Sequence, residues 1–151
     1  EILREQFKGV GIDLELKPSD RPTMLDLVFT KRNFDLWVHG LSTGGDPAIG
    51  IQRLYLSSNI RPAPFTNASG YRNPTVDELF AKAAGTPDQK VRIQFYHQVQ
   101  KVLSQDLPIL WLLEFSDNSA WRDEFRGVHQ WSALSFYTLG ETWWTKGRDK
   151  P

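Results

Sequence analysis

FDLWVHGLSTGGDPAIGIQRLY, residues 34–55, is the stretch on which the fold turns. Phe34, Leu36 and Val38 alternate with Asp35, Trp37 and His39, a period of two that sorts side chains onto opposite faces and predicts a strand. The strand runs into GLSTGG at 40–45, where small residues let a ligand or another backbone come close. Asp46 as a cap and Pro47 in the first turn then predict a helix whose free N–H groups point back at that loop. Strand, glycine-rich loop and helix start together make a binding edge of the kind that α/β proteins place at the open ends of their strands.

Upstream, Ile12, Leu14 and Leu16 alternate with Asp13, Glu15 and Lys17, a second half-buried strand closed by Pro18. Ser19 and Asp20 cap the next helix, with Pro22 in its first turn and Met24, Leu25, Val28 and Phe29 as its apolar stripe. Two strands joined by one helix predict a βαβ unit, parallel and right-handed. Before it, Ile2, Leu3 and Phe7 mark a helix closed by Gly9 or Gly11.

Downstream, 57–73 reads as a long ordered loop anchored by Phe65 and Tyr71. Asn73 and Pro74 open a helix with Val76, Leu79, Phe80 and Ala83 on one face, stopped by Gly85. Thr86 to Gln89 matches a capping box, and the helix it opens carries Val91, Phe95, Val99, Val102 and Leu103 and ends near Asp106, before Pro108. The run ILWLL at 109–113 predicts a strand buried on both faces. The expected class is α/β: a βαβ unit with flanking helices in a lobe spanning 1–127, followed by an aromatic tail, 128–151, that packs on this domain or on a partner.

At 151 residues the chain can bury one core, and its 18 basic and 18 acidic residues leave no basic stripe for a nucleic acid. No apolar run is long enough to cross a bilayer. Cysteine is absent, so disulfides and thiol chemistry are excluded. The start at Glu1, already helical in pattern, reads as a piece of a longer protein that carries no signal peptide itself. His39, His97 and His129 lack the spaced partners of a metal site, and no G-x-S-x-G elbow gives Ser42 a triad. The GG at 44–45 lacks the lysine of a phosphate loop, so no cofactor is implied. Asp46 and Glu114 are conceivable acid–base partners, but capping is sufficient work for Asp46, and tail packing for Trp143 and Trp144.

Taken in order, GIDLELKPSD, FDLWVHG followed by GGDP, YLSSN, SGYRNPTVDELFAKA, VRIQFYHQVQKVLSQDLPILWLLE and WRDEFRGV resemble the C-terminal part of the extracytoplasmic solute-binding proteins of ABC importers, the oligopeptide, dipeptide and nickel binders of family 5. The resemblance covers most of the chain. It implies one lobe of a bilobed, periplasmic-binding-protein-like receptor that closes on a solute like a hinge and delivers it to membrane permease subunits. It also implies an N-terminal lobe outside this chain, to which the tail 128–151 returns, a periplasmic or other extracytoplasmic location, and no enzymatic activity. By position, Leu41, Ser42, Thr43 and Gly44 line the cleft, with Trp37 and His39 as further candidates. The chain departs from the family's peptide binders in one respect. They carry Gly-Trp and then an aspartate that pairs with the peptide's α-ammonium, whereas here His39 and Gly40 hold the first two positions and Thr43 the third, leaving only Asp46 and Pro47 of the pattern. The alternatives are a small α/β enzyme domain with its site at 40–46, and an interaction module using the aromatic tail.

Overall fold

The computed structural model describes residues 1–42, 44–114, 120–128, 140 and 142–145. Its centre is a pair of helices, α3 (Pro74–Ala84) and α4 (Gln89–Asp106), preceded by α1 (Ile2–Gly9) and α2 (Arg21–Leu25). Local chemistry sets each boundary. Asn73 accepts hydrogen bonds from the N–H groups of Thr75 and Val76, Pro74 takes the first turn, and Gly85 ends α3. Asp20 caps α2 in the same way through Thr23 N–H, and the chain then widens into a π turn, Asp26–Thr30.

For α4 the cap is Asp88, which accepts from Lys90 and Val91 N–H, not the Thr86 of the expected capping box. A carboxylate one residue from the first turn suits the positive helix end better than a hydroxyl, and Thr86 instead donates to the Lys82 carbonyl at 2.6 Å, sealing the end of α3. The helix stops at Leu107, whose φ of +48° turns the chain left-handed just before Pro108.

Val76, Leu79, Phe80 and Ala83 all lie inside, as their spacing requires, and join Leu54, Tyr55 and Val99 in the core. Phe95, Val102 and Leu103 are partly covered, while Val91 is 46% exposed, so only the middle and lower turns of α4 use the apolar stripe.

The loop at 57–73 is ordered from within. Asn67, fully buried, donates to the carbonyls of Tyr55, Leu56 and Tyr71 and accepts from Tyr71 N–H and Ser69 Oγ. Arg32 ties the same loop to the end of the π turn by donating to the carbonyls of Asn67 and Ala68. Tyr71 and Asn73 both donate to the Asp106 carboxylate, clasping the loop to the end of α4.

That clasp titrates on both sides. Burial, and next the bond to Asp106, push the Tyr71 hydroxyl up from 10.0 to about 12. Asp106 lies below its ordinary 3.8 because it accepts from Tyr71 and Asn73. The clasp therefore stabilises the fold between these limits: its contribution falls as pH drops below 3.8, and again as pH rises from 10.0 toward about 12. In an absorbance titration, Asp106→Asn is expected to move the Tyr71 midpoint only part of the way back to 10.0, because burial is the larger cause.

The three expected strands are corrected. Residues 12–16, 34–38 and 109–113 form no ladder, so the βαβ unit is absent among the described residues. The described sheet is a two-residue antiparallel pair, β1 (Phe125–Arg126) with β2 (Trp143–Trp144), in the register Phe125 to Trp144 and Arg126 to Trp143. The chain is α/β only in the sense of helices plus this small sheet. The reason is physical: alternation records which faces want burial, but a strand exists only where a neighbour takes its N–H and C=O groups. Here Leu36, Val38, Leu110, Leu112 and Leu113 are 52–81% exposed, so the faces marked for burial are uncovered. Of the tail at 128–151, β2 docks on β1, with Phe125 stacked on Trp144 at 6.3 Å. Residues 129–139, 141 and 146–151 lie outside the described residues, and with them His129.

Candidate functional site

Residues 40, 42, 44 and 45 form an exposed rim, anchored by Leu41 on the core and by Asp46 on Arg92 of α4. Leu41 points inward and packs on the core cluster, while Ser42, Gly44 and Gly45 face out. Thr43 lies outside the described residues. Gly44 has a φ of +69°, and a Cβ there would stand 3.4 Å from the Gly50 Cα, so the loop folds back on itself. Gly44→Ala is expected to cost about 1–2 kcal/mol, chiefly for the left-handed backbone, read as a lowered urea midpoint.

Asp46 opens a turn, not the longer helix its cap pattern predicts. Its side chain accepts from Ala48 N–H at 2.8 Å, and its backbone carbonyl accepts from Ile49 and Gly50 N–H. The chain then tightens into a 3₁₀ turn, Ile51–Leu54. The second carboxylate oxygen is ion-paired with Arg92 of α4, each side chain about a third exposed. Arg92 lies against the Tyr96 ring at 5.7 Å, and burial, with the Asp46 charge next, raises the Tyr96 hydroxyl. Arg53 donates from Nη2 to the Ser42 carbonyl at 3.0 Å and so holds the rim from below.

Trp37 and His39 stand in a separate group of rings. They stack at 5.2 Å and 16°, His39 also faces Phe65 at 6.4 Å, and buried Phe29 meets Trp37 edge-on at 5.3 Å. Arg21 lies 5.7 Å from the Phe65 ring centroid. Phe65 itself is left-handed, φ +60°, an unusual state for a bulky residue.

The sequence-predicted residues thus divide into an inward anchor (Leu41), an open rim (Ser42 and Gly44) and an aromatic wall (Trp37 and His39). Arg53 and Arg92 hold the rim and escaped the sequence reading, while Phe65 joins the ring group of Trp37 and His39. Arg53 and Arg92 reach the loop from 11 and 46 residues away, and no local pattern signals such pairings. Phe65 was legible as an apolar anchor but not as a neighbour of His39.

Two hollows lie apart from the rim, one of about 380 Å³ at Arg4, Lys8 and Asp13 and one of about 330 Å³ at Gln52, Leu56 and Phe80. Ser42, Gly44 and Gly45 are open to solvent. Among the described residues no group of His, Cys, Asp and Glu could hold a metal ion, and no helix is long and apolar enough to cross a membrane.

Comparison with known proteins finds relatives over most of the chain. It is 28% identical over 124 residues, 82% of its length, to the probable D,D-dipeptide-binding periplasmic protein DdpA of Escherichia coli. It is 26% identical over 133 residues, 85% of its length, to the peptide transport periplasmic protein SapA of Salmonella typhimurium. To protein XP55 of Streptomyces lividans it is 32% identical over 99 residues, 66% of its length. The aligned regions take up 24%, 23% and 17% of those proteins, so the chain spans less than a quarter of the length of the curated relatives it matches. No protein-family model matches the chain. No solved structure matches it either.

Proposed function

We propose that this chain is part of the solute-binding component of an ABC-type importer, acting outside the cytoplasmic membrane, in the periplasm, and handing a peptide-like or other small solute to the permease. The observation that carries this reading is the similarity over 82–85% of the chain to proteins named for periplasmic peptide binding and peptide transport. The rim 40–46 fits the role, with Leu41 anchored on the core and Ser42 and Gly44 facing out with no opposing wall among the described residues. A second lobe, belonging to a longer polypeptide, supplies that wall and closes on the solute. The uncovered residues Leu36, Val38 and Leu110 to Leu113 support the same picture, since apolar surface of this kind is normally buried against further protein. Binding rests on hydrogen bonds and aromatic walls, without covalent chemistry.

The test is native mass spectrometry of the chain after incubation with a dipeptide mixture, alongside product analysis of the same mixture. Intact solute retained without conversion is the expected result. Conversion of a solute, lost in His39→Ala, sinks the reading in favour of an enzyme site at 40–46.

A further inference from the structure

Electrostatics at the rim bear on which end of a solute it meets. Asp46 is the only acidic side chain between residues 40 and 53, and both of its oxygens are already bonded: one to Ala48 N–H, the other to Arg92. Its charge is balanced by that guanidinium, so it attracts an incoming ammonium less than an unpaired carboxylate would.

Arg53 is in the opposite condition. It sits in the 3₁₀ turn beside buried Leu54, which fixes its base, and it forms no ion pair with any described carboxylate. Among the described residues its one hydrogen bond goes to the neutral Ser42 carbonyl, and its Nε is buried with no partner there. A guanidinium keeps its proton at any physiological pH and offers five donors in a planar fork, which matches a carboxylate. Among the described residues the rim therefore carries one positive charge without an acidic partner, held against the Ser42 carbonyl.

We infer that Arg53, together with Ser42 and Gly44, forms a carboxylate-binding subsite, so that the solute presents an anionic end here and not a free ammonium. This rests on the binding role proposed above and deepens it. The ligand class is a small carboxylate-bearing solute, such as a peptide's C-terminal end or an N-acylated amino acid.

Two probes of nearly equal size separate the charges: N-acetylglycylglycine, which has a carboxylate and no ammonium, and glycylglycinamide, which has the reverse. Each is titrated into the full chain at millimolar concentration, following the amides of Ser42 and Gly44 and the Arg53 Nε–H by NMR. The expected result is that only N-acetylglycylglycine shifts these signals. Added salt should weaken the effect, and Arg53→Gln should lower the affinity about tenfold with helix content unchanged. Shifts produced by glycylglycinamide instead would overturn the charge assignment while leaving the receptor reading intact. Shifts of equal size in Arg53→Gln would remove Arg53 from the site. If neither probe moves the rim, the subsite is refuted, and solute retention in the mass spectrometric experiment decides the receptor reading separately. The wild-type comparison of the two probes needs no variant, so it stands even if Arg53→Gln folds poorly.

Discussion

Asn67→Ala is expected to lower the stability of the chain by about 3 kcal/mol, a large share of the roughly 5–15 kcal/mol that holds a domain folded. The side chain is 0% exposed and touches five partners. Its Nδ2 spans three carbonyls, those of Tyr55 and Leu56 at the base of the loop and Tyr71 at its exit, and Oδ1 collects Tyr71 N–H and Ser69 Oγ. Alanine removes the amide and leaves these backbone groups without their internal partner, which costs more than the mean value of the lost bonds. Asn67→Asp is expected to be at least as damaging, because it replaces the donor with a charged acceptor facing three carbonyl oxygens. Ser69→Ala removes two bonds at an exposed residue, the donation to Asn67 Oδ1 and a long one accepted from Tyr71 N–H, and should cost about 1 kcal/mol. Urea denaturation of the three variants orders them; an Asn67→Ala midpoint equal to that of Ser69→Ala would show that the loop does not depend on its buried amide.

This hub explains why some of the structure was legible in the sequence and some was not. The helices were legible because their causes are local: Asn73 with Pro74, and the spacing of Val76, Leu79, Phe80 and Ala83, act within a few residues of where they are read. The order of loop 57–73 was visible only through Phe65 and Tyr71, since nothing local says that Asn67 reaches back to residues 55 and 56. Strands were the weakest reading for the same reason. The alternation at 12–16 and 34–38 reports a preference for a half-buried face, and pairing depends on a neighbour that the pattern does not name. At the candidate site, the sequence marked the glycine-rich loop itself, whereas the neutralisation of Asp46 by Arg92 is a contact across 46 residues. Asp46 was read as a helix cap; one oxygen instead accepts from Ala48 N–H within a turn, and the other carries the ion pair with Arg92.

The core and the rim are coupled through α4, and Phe80→Ala tests the coupling. Phe80, 2% exposed, lies on the buried face of α3 and meets Tyr96 of α4 at 6.3 Å. Removing its ring leaves a cavity between the two helices, with an expected cost of about 3–5 kcal/mol; Phe80→Leu, which keeps most of the volume, should cost less than about 1.5 kcal/mol. Tyr96 is one turn along from Arg92, whose guanidinium lies against the Tyr96 ring while holding Asp46. Loosening α4 therefore frees the rim as well, and amide exchange at Ala48 and Gly50 should accelerate along with the global loss. Arg92→Gln makes the opposite separation. It cuts a pair that is about a third exposed, so its cost to overall stability should be about 1 kcal/mol or less, yet the same two amides should exchange faster. Faster exchange in Phe80→Ala with none in Arg92→Gln would mean that the rim is held by the fold of its own turn and not by α4. A Phe80→Ala urea midpoint close to wild type would deny that the α3–α4 contact is the centre of this core.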